Sequence, residues 1–319
     1  MASDIDPYEA FLARFVPWAQ ARDDIRGVVL VGSRARTLQP ADELSDIDLM
    51  LITTRPKFYF TTGAWLNEFG ALCFTYRQPP VVGERNIRTA VYEGPVQVDF
   101  AIVSDLETRW AGAVLRLLAR FPRLVRLLPR SLADQIEAWF AILRKGTPPA
   151  LVNKRGAAMR MHGVRPPDTR VRVPTQAEFD EVVAAFWSHC LWTSKLVLRG
   201  ELWMAVFVSD HLAKAFLLQM LEWDATGRTG AASDVWYNGR FLEHWADQRV
   251  LRRLADAFPR YDERDIWNAL QGTMYVFSMV AREAASRLGR SYLDRAETKT
   301  REWVAARMAR ADAPGEPLA

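Results

Sequence analysis

The sequence predicts an α/β (α+β) domain built on a mixed sheet, followed by an all-α helical-bundle domain. Three observations carry that division. Up to Val103, short apolar runs bounded by Gly, Pro and Asp alternate with helical patterns, the texture of a layered domain. From Gly146 to Pro174 the chain is basic and punctuated by Pro148-Pro149, Gly156, Gly163, Pro166-Pro167 and Pro174, as a domain boundary is. Beyond that stretch, apolar positions recur at helical spacing almost to the end. The expected units are residues 1–150 and 151–310, with 311–319 as a frayed tail.

In chain order, Phe11, Leu12, Phe15, Val16 and Trp18 give residues Tyr8 to Asp24 the apolar stripe of a packed helix. Gly27–Val31 reads as a buried strand ending in Gly32-Ser33. A loop containing Pro40 leads to Asp46-Ile47-Asp48 and a second apolar run, Leu49–Ile52. Trp65–Phe69 reads as a helical turn stopped by Gly70, Ala71–Tyr76 and Asn86–Glu93 as strands, and Gly94-Pro95 as the turn before a strand over Val96–Val103. Asp105–Arg120 has a helical pattern, and the chain to about Phe140 is expected to be mostly helical or irregular. The second domain is expected to hold helices over Thr175–Arg199, Trp203–Trp223, Phe241–Ala257, Glu263–Leu288 and Ser291–Ala311.

The 319 residues are 50% hydrophobic and 25% charged, which excludes a disordered chain. A net charge of +4 accommodates anionic partners such as nucleotides without forming a nucleic-acid stripe. Cys73 and Cys190 are far apart, lack metal-ligand spacing, and are expected to be buried apolar thiols. No signal-peptide pattern opens the chain, and no apolar run reaches the ~20 residues of a membrane span. A cytoplasmic monomer is the expectation, with no membrane or nucleic-acid partner.

The chemistry concentrates between Gly32 and Asp48. Glycine lets the backbone approach a phosphate closely, and Ser33 offers a hydroxyl and an amide to anionic oxygens. Asp46 and Asp48, two apart at a strand start, share one face, an arrangement suited to a hard cation such as Mg2+. Asp99 interrupts an apolar strand, where an isolated carboxylate is costly unless paired, hydrogen-bonded or bound to a cation. If its strand lies beside that of Asp48, three carboxylates gather on one side of the sheet. Such a set fits phosphoryl chemistry on a nucleoside triphosphate, with Asp99 completing the site or taking a proton from the attacking hydroxyl. The alternative GxxxxGK[ST] phosphate loop is absent after the first strand.

Gly32, Ser33, Asp46, Asp48 and Asp99 together resemble the GS, DxD and later acidic residue of polymerase-beta-type nucleotidyltransferases. The resemblance extends over most of the chain. Residues Val173 to Leu202 resemble the aminoglycoside 6-adenylyltransferase (streptomycin adenylyltransferase) family, on Glu178, Phe179, Phe186, Trp187, Lys195, Arg199 and Glu201, and Asp210-His211-Leu212, Trp267 and Tyr275 continue it. Two departures stand out: Thr37, where the superfamily often has Gly, and Asn238-Gly239-Arg240-Phe241, where the family carries a lysine-rich stretch.

The resemblance implies transfer of AMP from ATP to a drug hydroxyl, releasing pyrophosphate and conferring antibiotic resistance. Asp46 and Asp48 would bind Mg2+, with Asp99 as third ligand or general base. Gly32, Ser33 and Arg34 would hold the triphosphate, and Lys195 and Arg199 would reach phosphates from the second domain. Glu201 and Asp210 would meet a cationic acceptor lying between the domains. Rival readings keep the transfer with a lincosamide, a metabolite or a protein as acceptor, or make the chain a nucleotide-binding regulator or antitoxin-like module. Blander roles are also on hand: Trp187, Trp192 and Trp203 as core, and His162, His189, His211 and His244 as ordinary histidines.

Overall fold

A computed structural model of the chain describes residues 6–35, 41–78, 86–94, 96–120, 149–160, 173–230, 235 and 237–311. Thr37, the 121–140 segment, His162 and the 312–319 tail lie outside them. Two compact units are present, Met1–Thr169 and Arg170–Ala319.

The first unit is a mixed sheet with helices. Strands β1 (Ile25–Val31), β2 (Ile47–Thr53), β3 (Leu72–Arg77), β4 (Ile87–Tyr92), β5 (Val96–Ser104) and β6 (Ala150–Asn153) lie in the order β3-β4-β5-β2-β1-β6. β2 and β5 are parallel, and the other neighbours are antiparallel. β6 pairs with β1, Val28 opposite Val152, so residues 150–153 join the sheet of the first unit. The proline-rich sequence marks the region of the seam but hides a short edge strand inside it.

Helix α1 (Pro7–Ala21) starts where the Asp6 side chain accepts from the Tyr8 amide, with Pro7 at the first helical position. It lays Phe11 and Phe15 against Phe100 of β5, together with helix α2 (Pro56–Thr61) and the Ala64–Phe69 turn. On this face β2 and β5 turn inward the apolar residues Ile47, Leu49 and Leu51, then Val96, Val98, Phe100 and Ile102. The opposite face is divided along its length. At one end Met50, Ile52 and Val103 are buried with Val29, Val31, Ala157 and Ala158, against Ala111 of helix α3 (Asp105–Arg120). Asp105 anchors that cover by accepting from Arg160 at 2.6 Å. At the other end the same face carries Asp48 and Asp99. Cys73, expected buried, is exposed because β3 is an edge strand with little covering it, whereas Cys190 is buried.

The second unit is helical. α4 (Gln176–Leu198) opens with a reciprocal capping box between Thr175 and Glu178. α5 (Leu202–Phe207) passes through a π-helical turn, Val208–Ala213, into α6 (Lys214–Thr229). By length and composition the run Leu202–Thr229 could cross a membrane, contrary to the sequence expectation, yet it buries Ala205, Val208, Leu217, Met220 and Leu221 in the core of this unit. The single helix expected over Phe241–Ala257 is instead α7 (Leu242–Trp245) and α8 (Gln248–Leu254), because Ala246 is extended and Asp247 starts a new cap. α9 (Glu263–Leu288) and α10 (Asp294–Ala311) complete the bundle. Phe186 stacks on Phe277 with ring centroids 3.6 Å apart. A side chain on Gly272 would come within 2.2 Å of the Asp256 carbonyl oxygen, so α9 passes that turn at backbone contact. Trp187 is core as expected, but Trp192 and Trp203 are 41% and 76% exposed. Gly200, with φ +72°, ends α4, and the π turn resets the helical phase that a continuous periodicity assumes.

Candidate active site

β1 ends at Gly32, whose φ of +69° is left-handed. A Cβ there would lie 1.8 Å from Asp48 Oδ2. The antiparallel ladder is the cause: Val31 pairs with Asp48, so the Asp48 carboxylate rests on the glycine. Ser33 is buried at the start of a turn that the Ala35 amide closes onto the Gly32 carbonyl at 3.3 Å. Arg34 points back along the chain. Its Nε and Nη2 donate to the Ser45 carbonyl at 3.2 and 3.0 Å, and its guanidinium lies 4.0 Å from the centroid of the Tyr8 ring. In this arrangement Arg34 positions the residue preceding Asp46, a supporting role that the sequence reading did not give it.

Asp48 and Asp99 are register partners on the parallel strands β2 and β5. Two carboxylates directly opposite one another repel, so their juxtaposition is unfavourable unless something positive is supplied. Asp99 is surrounded by neutral donors. Thr89 Oγ1 donates to Oδ1 at 2.6 Å, and Gln78 Nε2 lies 3.0 Å from Thr89 Oγ1 and 3.5 Å from Asp99 Oδ2. Gln97 Nε2 donates to Asp46 Oδ2 at 3.2 Å. Burial raises the Asp99 pKa and the nearby Asp46 charge adds to the effect, while hydrogen bonds from Thr89, Gln97 and Gln78 oppose it.

These donors suit a hard cation by chemistry and by sign. Among the described residues no three His, Cys, Asp or Glu side chains draw together into a metal cage, because Asp99 is turned toward Thr89 and Asp46 toward Gln97. Mg2+ does not need such a cage. It binds through one or two carboxylates and fills its shell with water and phosphate oxygens.

Thr89, Gln97 and Gln78 were not identified from sequence. Gln97 carried a signal, lying two residues before Asp99 on the same face. Thr89 could be counted out from the β4–β5 hairpin, because a pair between Tyr92 and Val96 places Thr89 opposite Asp99. Gln78 depends on the β3 register, which the sequence does not fix.

The remaining expected site residues belong to the second unit. Lys195 and Arg199 are exposed at the end of α4, and Arg199 Nη1 lies 3.9 Å from Glu201 Oε1. Asp210 pairs with the buried Lys214 on the π turn. The other residues carrying the family resemblance there build the fold: Glu178 closes the capping box, and Phe179, Phe186 and Trp187 are core.

Comparison with known proteins identifies a family. A family model described as streptomycin adenylyltransferase matches residues 7–105 and 134–307. An aminoglycoside 6-adenylyltransferase of Campylobacter jejuni is 22% identical over 302 residues, covering 92% of this chain and 91% of that protein. Its counterpart from Bacillus subtilis (strain 168) is 20% identical, covering 88% and 90%. The crystal structure of an aminoglycoside 6-adenyltransferase from Bacillus subtilis overlays 95% of this chain and 98% of its own, at 16% identity and a TM-score of 0.43, too loose to bear on the fold. On the breadth of the family match, this chain belongs to the streptomycin adenylyltransferase family.

Proposed function

We propose that this protein transfers AMP from ATP to a hydroxyl of a streptomycin-like aminoglycoside, releasing pyrophosphate and inactivating the drug. The observation carrying this reading is the register pair Asp48 and Asp99 beside the Gly32 turn. Gly32 and Ser33 hold the triphosphate, their small size and free polar groups allowing phosphate oxygens close to the backbone. Asp46 and Asp48 would hold Mg2+, which when bound would neutralise charge on the phosphate oxygens. Asp99, oriented by Thr89 and Gln78, takes the hydroxyl proton. The acceptor oxygen forms its bond to the α-phosphorus, the bond from that phosphorus to the bridging oxygen breaks, and pyrophosphate departs with the electron pair. Arg34, Lys195 and Arg199 remain in this proposal as phosphate contacts, and Glu201 and Asp210 as contacts of the cationic acceptor. A cytoplasmic location follows from dependence on ATP.

Incubation with ATP, Mg2+ and streptomycin tests the proposal. An AMP adduct by mass spectrometry with stoichiometric pyrophosphate is expected. Absence of turnover across a panel of aminoglycosides overturns the acceptor class.

A further inference from the structure

The open face of the sheet continues past Asp99 to two exposed aromatic residues. β3 carries a bulge between Leu72 and Phe74: Leu72 pairs with Tyr92, but Phe74 pairs with Val91 and Tyr76 with Thr89. One added residue reverses which side chains face which side of a strand. Here it sends Leu72 to the α1 side and turns Phe74 and Tyr76 to the carboxylate side. A level row results, Tyr76–Thr89–Asp99–Asp48, across four adjacent strands. Gln78, which shares the parity of Tyr76, confirms the face through its contacts with Thr89 and Asp99. Phe74 is 57% and Tyr76 47% exposed. At ordinary strand spacing Tyr76 stands about 10 Å from Asp99. Arg77 points to the other side, its guanidinium over the Phe60 ring, so no charge from it reaches the aromatic pair.

Resting on the adenylylation reading, we infer that Phe74 and Tyr76 form the platform on which the acceptor's ring lies during transfer. In-line displacement gives the direction. Pyrophosphate leaves toward the Gly32–Ser33 turn on β1, so the attacking hydroxyl enters from the opposite side of the α-phosphorus, across Asp99, over β4 and β3. A polycationic aminocyclitol or aminosugar suits this surface. Its C–H faces pack on aromatic rings, its ammonium groups are drawn to ring faces, and the carboxylates beyond have the complementary charge.

The test uses Phe74→Ala, Tyr76→Ala and the double variant, with Tyr76→Phe as the conservative control. Both positions are exposed on an edge strand, so these variants keep the fold. Steady-state kinetics with both substrates are measured on the full chain, with ATP affinity measured separately by calorimetry. We expect the double variant to raise the acceptor KM about ten-fold or more, with the ATP KM and ATP affinity unchanged, and Tyr76→Phe to behave as wild type. An unchanged acceptor KM, or a rise confined to ATP, overturns the platform while leaving adenylylation intact. Failure of the wild type to modify any aminoglycoside overturns the functional reading and the platform with it.

Discussion

Asp99 in the sheet and Asp224 in the helical unit are both aspartates set into packed elements, and the protein treats them in opposite ways. Asp224, 3% exposed, accepts from Arg228 at 2.9 Å and is also clamped by Arg287, which in turn reaches Glu283, itself joined to Arg249. Every charge in that chain is answered by an opposite one. Among the described residues Asp99 has no cation, only neutral donors, with Asp46 and Asp48 beside it. Breaking a buried ion pair strands its partner, whereas an acid held by hydroxyl and amide groups keeps its negative potential available to a ligand. The difference separates an acid answered by cations within the fold from one left to neutral donors.

The largest effect expected from that contrast is on turnover. Asp48→Ala should lower kcat by about 10³-fold or more, since carboxylate-held metal supplies several kcal/mol of transition-state stabilisation, and thermal melting should stay within a few degrees of wild type. A variant with wild-type kcat would remove Asp48 from the chemistry. Asp224→Ala should do the reverse, costing about 2–4 kcal/mol in denaturant unfolding, the lower figure reflecting partly exposed arginines, with kcat unchanged below the melting range. Gly32→Ala joins the two classes. Its methyl group must displace the Asp48 carboxylate from a left-handed backbone position, so activity should fall about 100-fold with a stability loss of about 1–2 kcal/mol.

The smallest effects concern pH, and their signs differ between the units. Arg249 side-chain and backbone donors hold Asp247 down at about 2, and the same arginine lowers Glu283. Their folded-state pKa values are depressed, so their contribution is present above the ordinary carboxylate range and is lost as pH falls toward 2. Asp99 has the opposite sign. Its raised pKa means that the charged form destabilises the fold at neutral pH and that this cost is relieved on acidification. Asp99→Asn should therefore melt higher than wild type at pH 7 while losing transfer, and the gain should shrink as pH is lowered through the carboxylate range. A pH-independent gain would place the cause outside its ionisation.

Much of the site was legible because it obeys local rules. The i, i+2 parity of Asp46 and Asp48 and the apolar setting of Asp99 need no tertiary knowledge, and the parallel β2–β5 ladder brought their strands together as the chemistry required. Long helices such as Glu263–Leu288 were read to the residue because caps and periodicity agree. What escaped depended on breaks in regularity. The β3 bulge, the β6 edge strand within a proline-rich stretch, and the π turn each change parity or phase by one residue or a few, and a periodic reading carries no signal of that. The bonds from Arg34 to the Ser45 carbonyl escaped for another reason: nothing in the sequence ties a cation beside a phosphate turn to a carbonyl eleven residues away.

The π turn at Val208–Ala213 has a genetic consequence. A π turn is an α-helix with one residue too many, so an in-frame loss of a single codon there would let Leu202–Thr229 run on as regular helix. Such a lesion would close the bulge locally and leave the helix before and after it on the faces they now present, so Trp203 would stay outward. The extra residue offsets the sequence periodicity without turning the helix, and relatives that differ by one codon here would present the same faces from sequences whose apolar positions are shifted by one.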